Sequence, residues 1–274
     1  MKERLDIVLV LRGLFPSREK AAEAVKNGII YVNSKQISKS SFKINEEDRV
    51  EIIGERLPYV SKGGLKLEKG IKAFHLDFAD KTVLDVGCST GGFADCALQH
   101  GADFVYGIDV GNNQLDSRLQ NNPRLKYMEN LHVKNLQSEH LDGKQMDIIL
   151  ADVSFISVTQ ALPHILPFLK KNGAVFILIK PQFELDSTAL GKNGIVKTAK
   201  QQILAIERVL AATKNLGLHL QQIDYAPLMT YKKNIEYIAL FSYAGITKIF
   251  DIKELVNSAV AEKTNQQKEK NVSL

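Results

Sequence analysis

The chain has 274 residues, 45% of them hydrophobic and 24% charged, with a formal net charge of +5. That is the make-up of an ordinary soluble globular protein, long enough for one large domain and a small one with a core that needs no disulfide. No uncharged apolar run reaches the ~18 residues of a membrane span, and the apolar stretch from Leu5 to Phe15 is interrupted by Asp6 and Arg12 with no cleavage site after it, so neither a spanning nor a targeting segment is expected.

Residues 1–64 hold 12 Lys/Arg against 9 Asp/Glu, a mild basic surplus that permits nucleic-acid binding without requiring it. Within them, Arg4 to Leu14 has helical spacing, with Leu5, Val8, Leu9 and Leu11 able to face one way. Ser17 reads as the N-cap of a second helix over Arg18 to Lys26, and Gly28 as its C-terminal stop. Short strands follow at Ile29–Asn33 and Glu47–Ile53. Arg56 to Gly64 breaks the pattern with Pro58, Gly63 and Gly64. The expected division is therefore residues 1–57, a linker over 58–64, a main domain over 65–246, and a C-terminal helix with a polar, frayed tail over 247–274.

From Lys81 onward strands and helices alternate, as in a doubly wound parallel sheet. Strands are predicted near 82–86, 104–108, 125–128, 147–151, 174–180, 219–226 and 235–242. Helices are predicted over 91–100, 114–121, 157–171, 199–216 and 251–263. The last two strands are joined without a helix, which predicts an antiparallel end to the sheet.

Asp85-Val86-Gly87-Cys88-Ser89-Thr90-Gly91-Gly92-Phe93 closes the first of these strands, and Asp109 ends the next. Strand, glycine turn, helix, strand and acid together build a nucleotide pocket, the acid accepting from ribose hydroxyls. Three signatures compete for the turn. A dinucleotide fingerprint would want glycine where Ser89 stands. Gly87-x-Ser89-x-Gly91 matches a hydrolase nucleophile elbow, but His164 and His219 lack a suitable loop context. An S-adenosylmethionine turn uses Asp85 before the first glycine and Asp109 about 20 residues later, and it fits best. The two cysteines, Cys88 and Cys96, read as small buried fillers in a reducing cytoplasm, and no metal site is expected.

Asp152 and Lys180 each end an apolar strand, at the edge where open α/β sheets bind ligands. Glu236 starts a strand; if that strand is antiparallel, Glu236 reaches the same edge. Lys62 or Lys66, beside Gly63-Gly64, can point there too, although the glycines read equally well as a hinge. The bland readings are a helix cap for Asp152, a snorkelling lysine for Lys180 and a solvated strand residue for Glu236.

Taken jointly, the motifs resemble the S4-domain ribosomal RNA 2′-O-methyltransferases of the TlyA type, long labelled hemolysins, with an FtsJ/RrmJ-like catalytic domain. The resemblance covers nearly the whole chain: Arg4-Leu5-Asp6, Ser17-Arg18 and Tyr31-Val32-Asn33 for the S4 module, Asp85–Phe93 and Gly107–Leu115 for the donor site, then Asp152–Ser157 and Lys180–Glu184. It implies a Rossmann-like methyltransferase sheet with an antiparallel last strand, preceded by a small α+β S4 RNA-binding domain. It also implies S-adenosylmethionine as cofactor, ribosomal RNA or ribosomal subunits as partner, and methylation of a ribose, of cytidine. The family's Lys-Asp-Lys-Glu set maps to Lys66, Asp152, Lys180 and Glu236. Asp85, Gly87, Ser89, Thr90, Gly91, Gly92, Phe93 and Asp109 map to the cofactor site. Arg4, Arg18, Lys20 and Lys26 are the candidate phosphate contacts. Two segments depart from the family pattern: Glu129–Lys134, on the adenine side, and Tyr231–Asn234, before the glutamate. The competing functions are an assembly factor that binds RNA without catalysis and a membrane-active hemolysin.

Overall fold

The computed structural model describes residues 2–15, 17–26, 28–53, 57–230 and 232–272. Arg56, where the linker is expected to open, and Tyr231, in the second departing segment, lie outside the described residues. The chain divides into two compact units, Met1–Pro58 and Tyr59–Leu274.

In the first unit β1 (Glu3–Arg4) leads into α1 (Leu5–Leu11), and α2 (Arg18–Lys26) follows. Leu5, Val8 and Leu9 of α1 pack on Ala21, Ala24 and Val25 of α2, the face the spacing predicts. Leu11 does not join them; it is 76% exposed, because the helix stops there and Gly13 turns with φ +67°. Ser17 Oγ accepts from the Lys20 amide (3.3 Å), as an N-cap does, and Gly28 (φ +76°) ends α2 in left-handed backbone. The remaining strands are β2 (Ile30–Val32), β3 (Lys35–Gln36), β4 (Lys43–Ile44) and β5 (Val50–Ile52). They form an antiparallel β3-β2-β5 sheet and a β1-β4 pair, closing the core with Ile30, Val32, Ile37 and Ile44.

The second unit begins with α3 (Gly63–Phe74) and continues β6 (Thr82–Val86), α4 (Gly92–Gln99), β7 (Phe104–Ile108), β8 (Leu125–Met128), β9 (Met146–Ala151), α5 (Val158–Ile165) and β10 (Leu169–Ile179). Then come α6 (Pro181–Glu184), α7 (Ala199–Asn215), β11 (His219–Tyr225), β12 (Tyr237–Ser242) and α8 (Ile252–Val272). The seven-stranded sheet has the order β11-β12-β10-β9-β6-β7-β8. Pairing is parallel from β10 through β8, whereas β12 runs antiparallel to both β10 and β11. One core lies on each face, built around Ile149, Ile177 and Phe241 on one side and Phe78, Phe93 and Phe176 on the other. The chain leaves β6 toward β7 and β8 and returns on its other side with β9, so the switch point lies between β6 and β9.

Three helices differ from expectation. Residues 114–121 form turns rather than a helix: Asp116 carboxylate accepts from the Arg118 amide (3.1 Å), a local bond that competes with helical pairing, and Leu119 folds over Gly91. The helix expected over 157–171 ends at Ile165, since Pro167 follows and Leu169 is already paired with Met146 in the sheet. The expected frayed tail is instead helical to Val272, because α8 docks through Lys263 Nζ on Lys233 O (2.6 Å) and Gln266 Nε2 on Leu228 O (3.2 Å).

Glycines in α3 are packing positions. A Cβ at Gly64 would overlap the Tyr59 ring, and one at Gly70 would overlap the fully buried Phe176 ring. Replacing a helical glycine by alanine ordinarily stabilises by about 0.5–1 kcal/mol, whereas overpacking a core costs about 1–3 kcal/mol. Gly70→Ala is therefore expected to destabilise the protein by about 1–2 kcal/mol in urea unfolding; an increase in stability would show that Phe176 can move aside.

Candidate active site

The C-terminal end of β6 carries Asp85, fully buried, whose Oδ2 accepts from the Ala94 amide (3.0 Å) at the start of α4. Its Oδ1 is buried without a partner. Burial raises the Asp85 pKa to about 7; the Cys88 thiol and the Ala94 amide pull it back, and the Asp152 carboxylate adds to the rise. Beyond it the chain turns through Gly87, Ser89 and Gly91, all with positive φ (80°, 49° and 88°). A Cβ on Gly87 would press on the Asp152 carbonyl oxygen (2.7 Å), so the turn lies directly against the end of β9.

Asp109 at the end of β7 ties this turn to its neighbour. Its Oδ2 accepts from the Ser89 amide (2.9 Å) and its Oδ1 from the Gly111 amide (2.7 Å). Each carboxylate oxygen keeps a second lone pair for a ligand hydroxyl. The Glu129–Lys134 segment lies alongside, with the Leu131 amide donating to Asp109 O (2.9 Å) and the Asn130 amide to Gly111 O (3.1 Å). Thr90, half-buried, accepts on its carbonyl from the Asp116 amide (3.3 Å). Gly92 opens α4 against Gly63 and Gly64. Phe93, by contrast, turns into the core, 4% exposed and edge-on to Phe176 (6.0 Å between centroids). Its side chain is a packing group. Cys88 and Cys96 are buried and unbridged, and burial pushes both thiols up, Cys96 to about 12.

Four charged side chains from four elements meet at the same edge. Asp152 follows β9, Lys180 follows β10, Glu236 precedes β12, and Lys66 lies on α3. Lys180 Nζ is 2.6 Å from Asp152 Oδ1, Lys66 Nζ is 3.6 Å from Asp152 Oδ2 and 2.6 Å from Glu236 Oε2. Charges alternate along the chain Glu236, Lys66, Asp152, Lys180. Burial pulls Lys66 down, but Asp152 and Glu236 outweigh it and hold its pKa above the ordinary lysine value. The antiparallel direction of β12 is what delivers Glu236: Ile179 pairs with Tyr237, so the start of β12 stands beside the end of β10.

Two participants escape a reading of the sequence. Ser154 Oγ accepts from Lys180 Nζ (2.7 Å), so the lysine is held from two sides. Glu184, 8% exposed, accepts from the Val158 amide (2.9 Å) and from Ser157 Oγ, fastening the 152–157 turn to α6. The acid that closes the Lys180–Glu184 block is the sequence signal for it. Phe155 is 88% exposed, has left-handed backbone (φ 68°), and lies 5.4 Å from the Phe183 ring. Phe155 thus stands exposed against Phe183, whose ring centroid is 5.9 Å from Lys180 Nζ.

In the first unit, Arg4 (2.9 Å) and Arg18 (3.4 Å) both pair with the buried Asp6, whose pKa is lowered by the Arg4 hydrogen bond in spite of burial. These two arginines therefore have a structural task. Lys20 and Lys26 lie on α2, and Lys26 is exposed. Among the described residues no cluster of His, Cys, Asp or Glu could hold a metal ion, and no helix is long and apolar enough to cross a membrane.

A sheet with one reversed strand, a glycine turn braced by two acids at its switch point and an alternating charge chain at the same edge define an α/β transferase of the nucleotide-binding kind. Residues 59–243 match the FtsJ-like methyltransferase family and residues 3–50 the S4 domain, and the chain belongs to the FtsJ-like methyltransferases. It is 37% identical to the candidate rRNA methyltransferase YqxC of Bacillus subtilis, covering 89% of this chain and 87% of that protein. It is 31% identical to the 16S/23S rRNA (cytidine-2′-O)-methyltransferase TlyA of Mycobacterium tuberculosis, over 86% and 88% of the two chains. The solved structure of a candidate hemolysin from Streptococcus thermophilus superposes with a TM-score of 0.78 at 34% identity, covering 97% of this chain and 98% of that one.

Asp85 makes stability depend on pH. An unfolded aspartate titrates near 3.9 and the folded one at about 7, so between these values the native state holds the extra proton and stability falls as pH rises. Asp85→Asn lacks this titration and is expected to lose the decline, on the order of a few kcal/mol, between pH ~4 and ~7. Denaturant unfolding across that range checks it; parallel wild-type and variant curves would refute it.

Proposed function

We propose that this chain is an S-adenosylmethionine-dependent 2′-O-methyltransferase acting on cytidine ribose in ribosomal RNA, with its place of action in the cytoplasm where that RNA is. The observation that carries the reading is the Glu236-Lys66-Asp152-Lys180 chain standing beside the Asp85–Asp109 turn. The M. tuberculosis relative, covered over 88% of its length, is named for rRNA (cytidine-2′-O)-methylation.

The residues fit the donor. Asp85 Oδ1, buried and unpartnered, is the kind of group a cationic ligand end satisfies, and the Ser89–Asp109 turn offers acceptors for ribose hydroxyls. When bound, S-adenosylmethionine supplies an electrophilic methyl group on a good leaving centre. The protein then needs chiefly to align the acceptor and to support its charge.

Lys180 is the group for that task. Paired with Asp152 and hydrogen-bonded to Ser154, it acts as a fixed donor and positive charge beside the acceptor oxygen rather than as a free base. As the O–CH3 bond formed and the donor's CH3–S bond broke, the acidified hydroxyl proton would leave late and pass to solvent water. Asp152 separates the two ammonium groups, and Glu236 holds Lys66. Phe155 and Phe183 offer a stacking face to the acceptor base. Lys180→Ala is expected to lower turnover on the order of 10²–10³-fold while donor affinity by calorimetry stays within about twofold. Loss of donor affinity with turnover per bound complex kept would overturn the role. An assembly factor without catalysis would show no methyl transfer in the wild type.

The S4 domain supplies RNA affinity through phosphate contacts that position without reading sequence. Because Arg4 and Arg18 neutralise Asp6, their removal mixes folding with binding; Lys20→Ala/Lys26→Ala leaves the Asp6 pairs intact. That variant is expected to flatten the salt dependence of RNA binding by about two units of log–log slope. An unchanged slope would place the phosphates elsewhere.

A further inference from the structure

Two loops with a lysine surplus leave the sheet edge beside Lys180 and Glu236. Residues 185–198 join α6 to α7 and carry Lys192 and Lys197 against one acid, Asp186, which pairs with Arg208 (3.6 Å), and Lys200 follows in the first turn of α7; residues 226–235 end immediately before Glu236 and carry Lys232 and Lys233 with no acid. The first loop folds back on itself. The Gly191 amide donates to Ile195 O (2.7 Å), Leu190 bridges Val196, and Asn193 and Gly194 both take left-handed backbone (φ 63° and 69°). The result is a tight finger with Lys192 near its tip.

Asn234 clasps this finger to the second loop. Its Oδ1 accepts from the Val196 amide (2.8 Å) and its Nδ2 donates to Gly194 O (2.8 Å). From the other side α8 fixes the second loop at Leu228 and Lys233. Each loop is thus tied at these points, while the side chains of Lys192, Lys197, Lys200, Lys232 and Lys233 are exposed. Lys200 lies in the first turn of α7, where the helix dipole disfavours a cation and where no acid is present. Local stability therefore gives no reason for it.

We infer that the two clasped loops form a basic rim that holds RNA phosphates flanking the acceptor nucleotide, a second RNA-contact surface that belongs to the catalytic unit. The inference rests on the RNA-substrate reading above and adds residues it does not use. Cations on loops tied next to the charge chain would fix the strand's register over Lys180, as phosphate contacts do. Their release of counterions would appear as salt dependence.

The test compares two triple variants of the full chain, binding purified ribosomal RNA across a salt series. One is Lys192→Ala/Lys200→Ala/Lys233→Ala. The other removes equal charge at the opposite sheet edge, Lys81→Ala/Lys144→Ala/Lys171→Ala. The rim variant is expected to lose about 2–3 units of log–log salt slope and to raise KM for RNA, with donor affinity and kcat at saturating RNA unchanged; the control should stay near wild type. Equal slopes in the two variants, with RNA still methylated, would overturn the rim alone. Wild-type protein that neither binds nor methylates the RNA would overturn the substrate reading and the rim with it.

Discussion

Asp152 is the group on which the site depends. Two ammonium groups converge on it from α3 and β10, where the lysine side chains are only 16% and 9% exposed. Without a carboxylate between them they would repel each other at close range in a medium that solvates them poorly, and removing one partner of a buried ion pair costs roughly 3–5 kcal/mol. Glu236 completes the alternation by taking the far side of Lys66. The carboxylates thereby set where Lys180 can stand, and Ser154 limits its remaining freedom.

The same logic of a buried acid held by its neighbours recurs with different outcomes. Asp6 in the S4 domain has two arginines, and their hydrogen bonds lower its pKa in spite of burial. Asp85 at the switch point has an amide, a thiol and no cation, and its pKa rises to about 7. The first is a finished structural unit, which gives Arg4 and Arg18 a task independent of RNA. The second is an incomplete one, with Oδ1 left buried and without a hydrogen-bond partner. Glu184 is a third case: burial raises its pKa, while Ser157 and the Val158 amide pull against the rise. It anchors the turn that bears Asp152, Ser154 and Phe155, so the charge chain and the exposed aromatic share one support.

Much of the catalytic unit could be read from local pattern. Apolar runs bounded by turn residues placed the first three strands at 82–86, 104–108 and 125–128, where β6, β7 and β8 lie. Where pattern misled, a tertiary or side-chain bond had decided the matter. The 114–121 segment has helical apolar spacing, yet Asp116 bonds its own neighbouring backbone. The polar tail looks solvated, yet Lys263 and Gln266 fasten it to the loop ahead of Glu236. Phe93 belongs to a turn motif by sequence and to the core by packing, because the second residue of α4 faces Phe176.

By itself the sequence determined which chemistry is available: acids and lysines at strand ends, glycines at a strand-to-helix turn, a mild basic surplus over the first 64 residues. Strand ends are marked by composition, and residue type decides charge. What only the tertiary structure decided is which of these groups meet. Lys66 and Glu236 are 170 residues apart, and nothing local to either reports that β12 runs backwards between β10 and β11, or that α3 packs with Lys66 toward that edge. Such proximity arises from sheet order and from the burial of Gly64, Leu67 and Gly70 on the other face of the helix, which are cooperative properties of the whole unit.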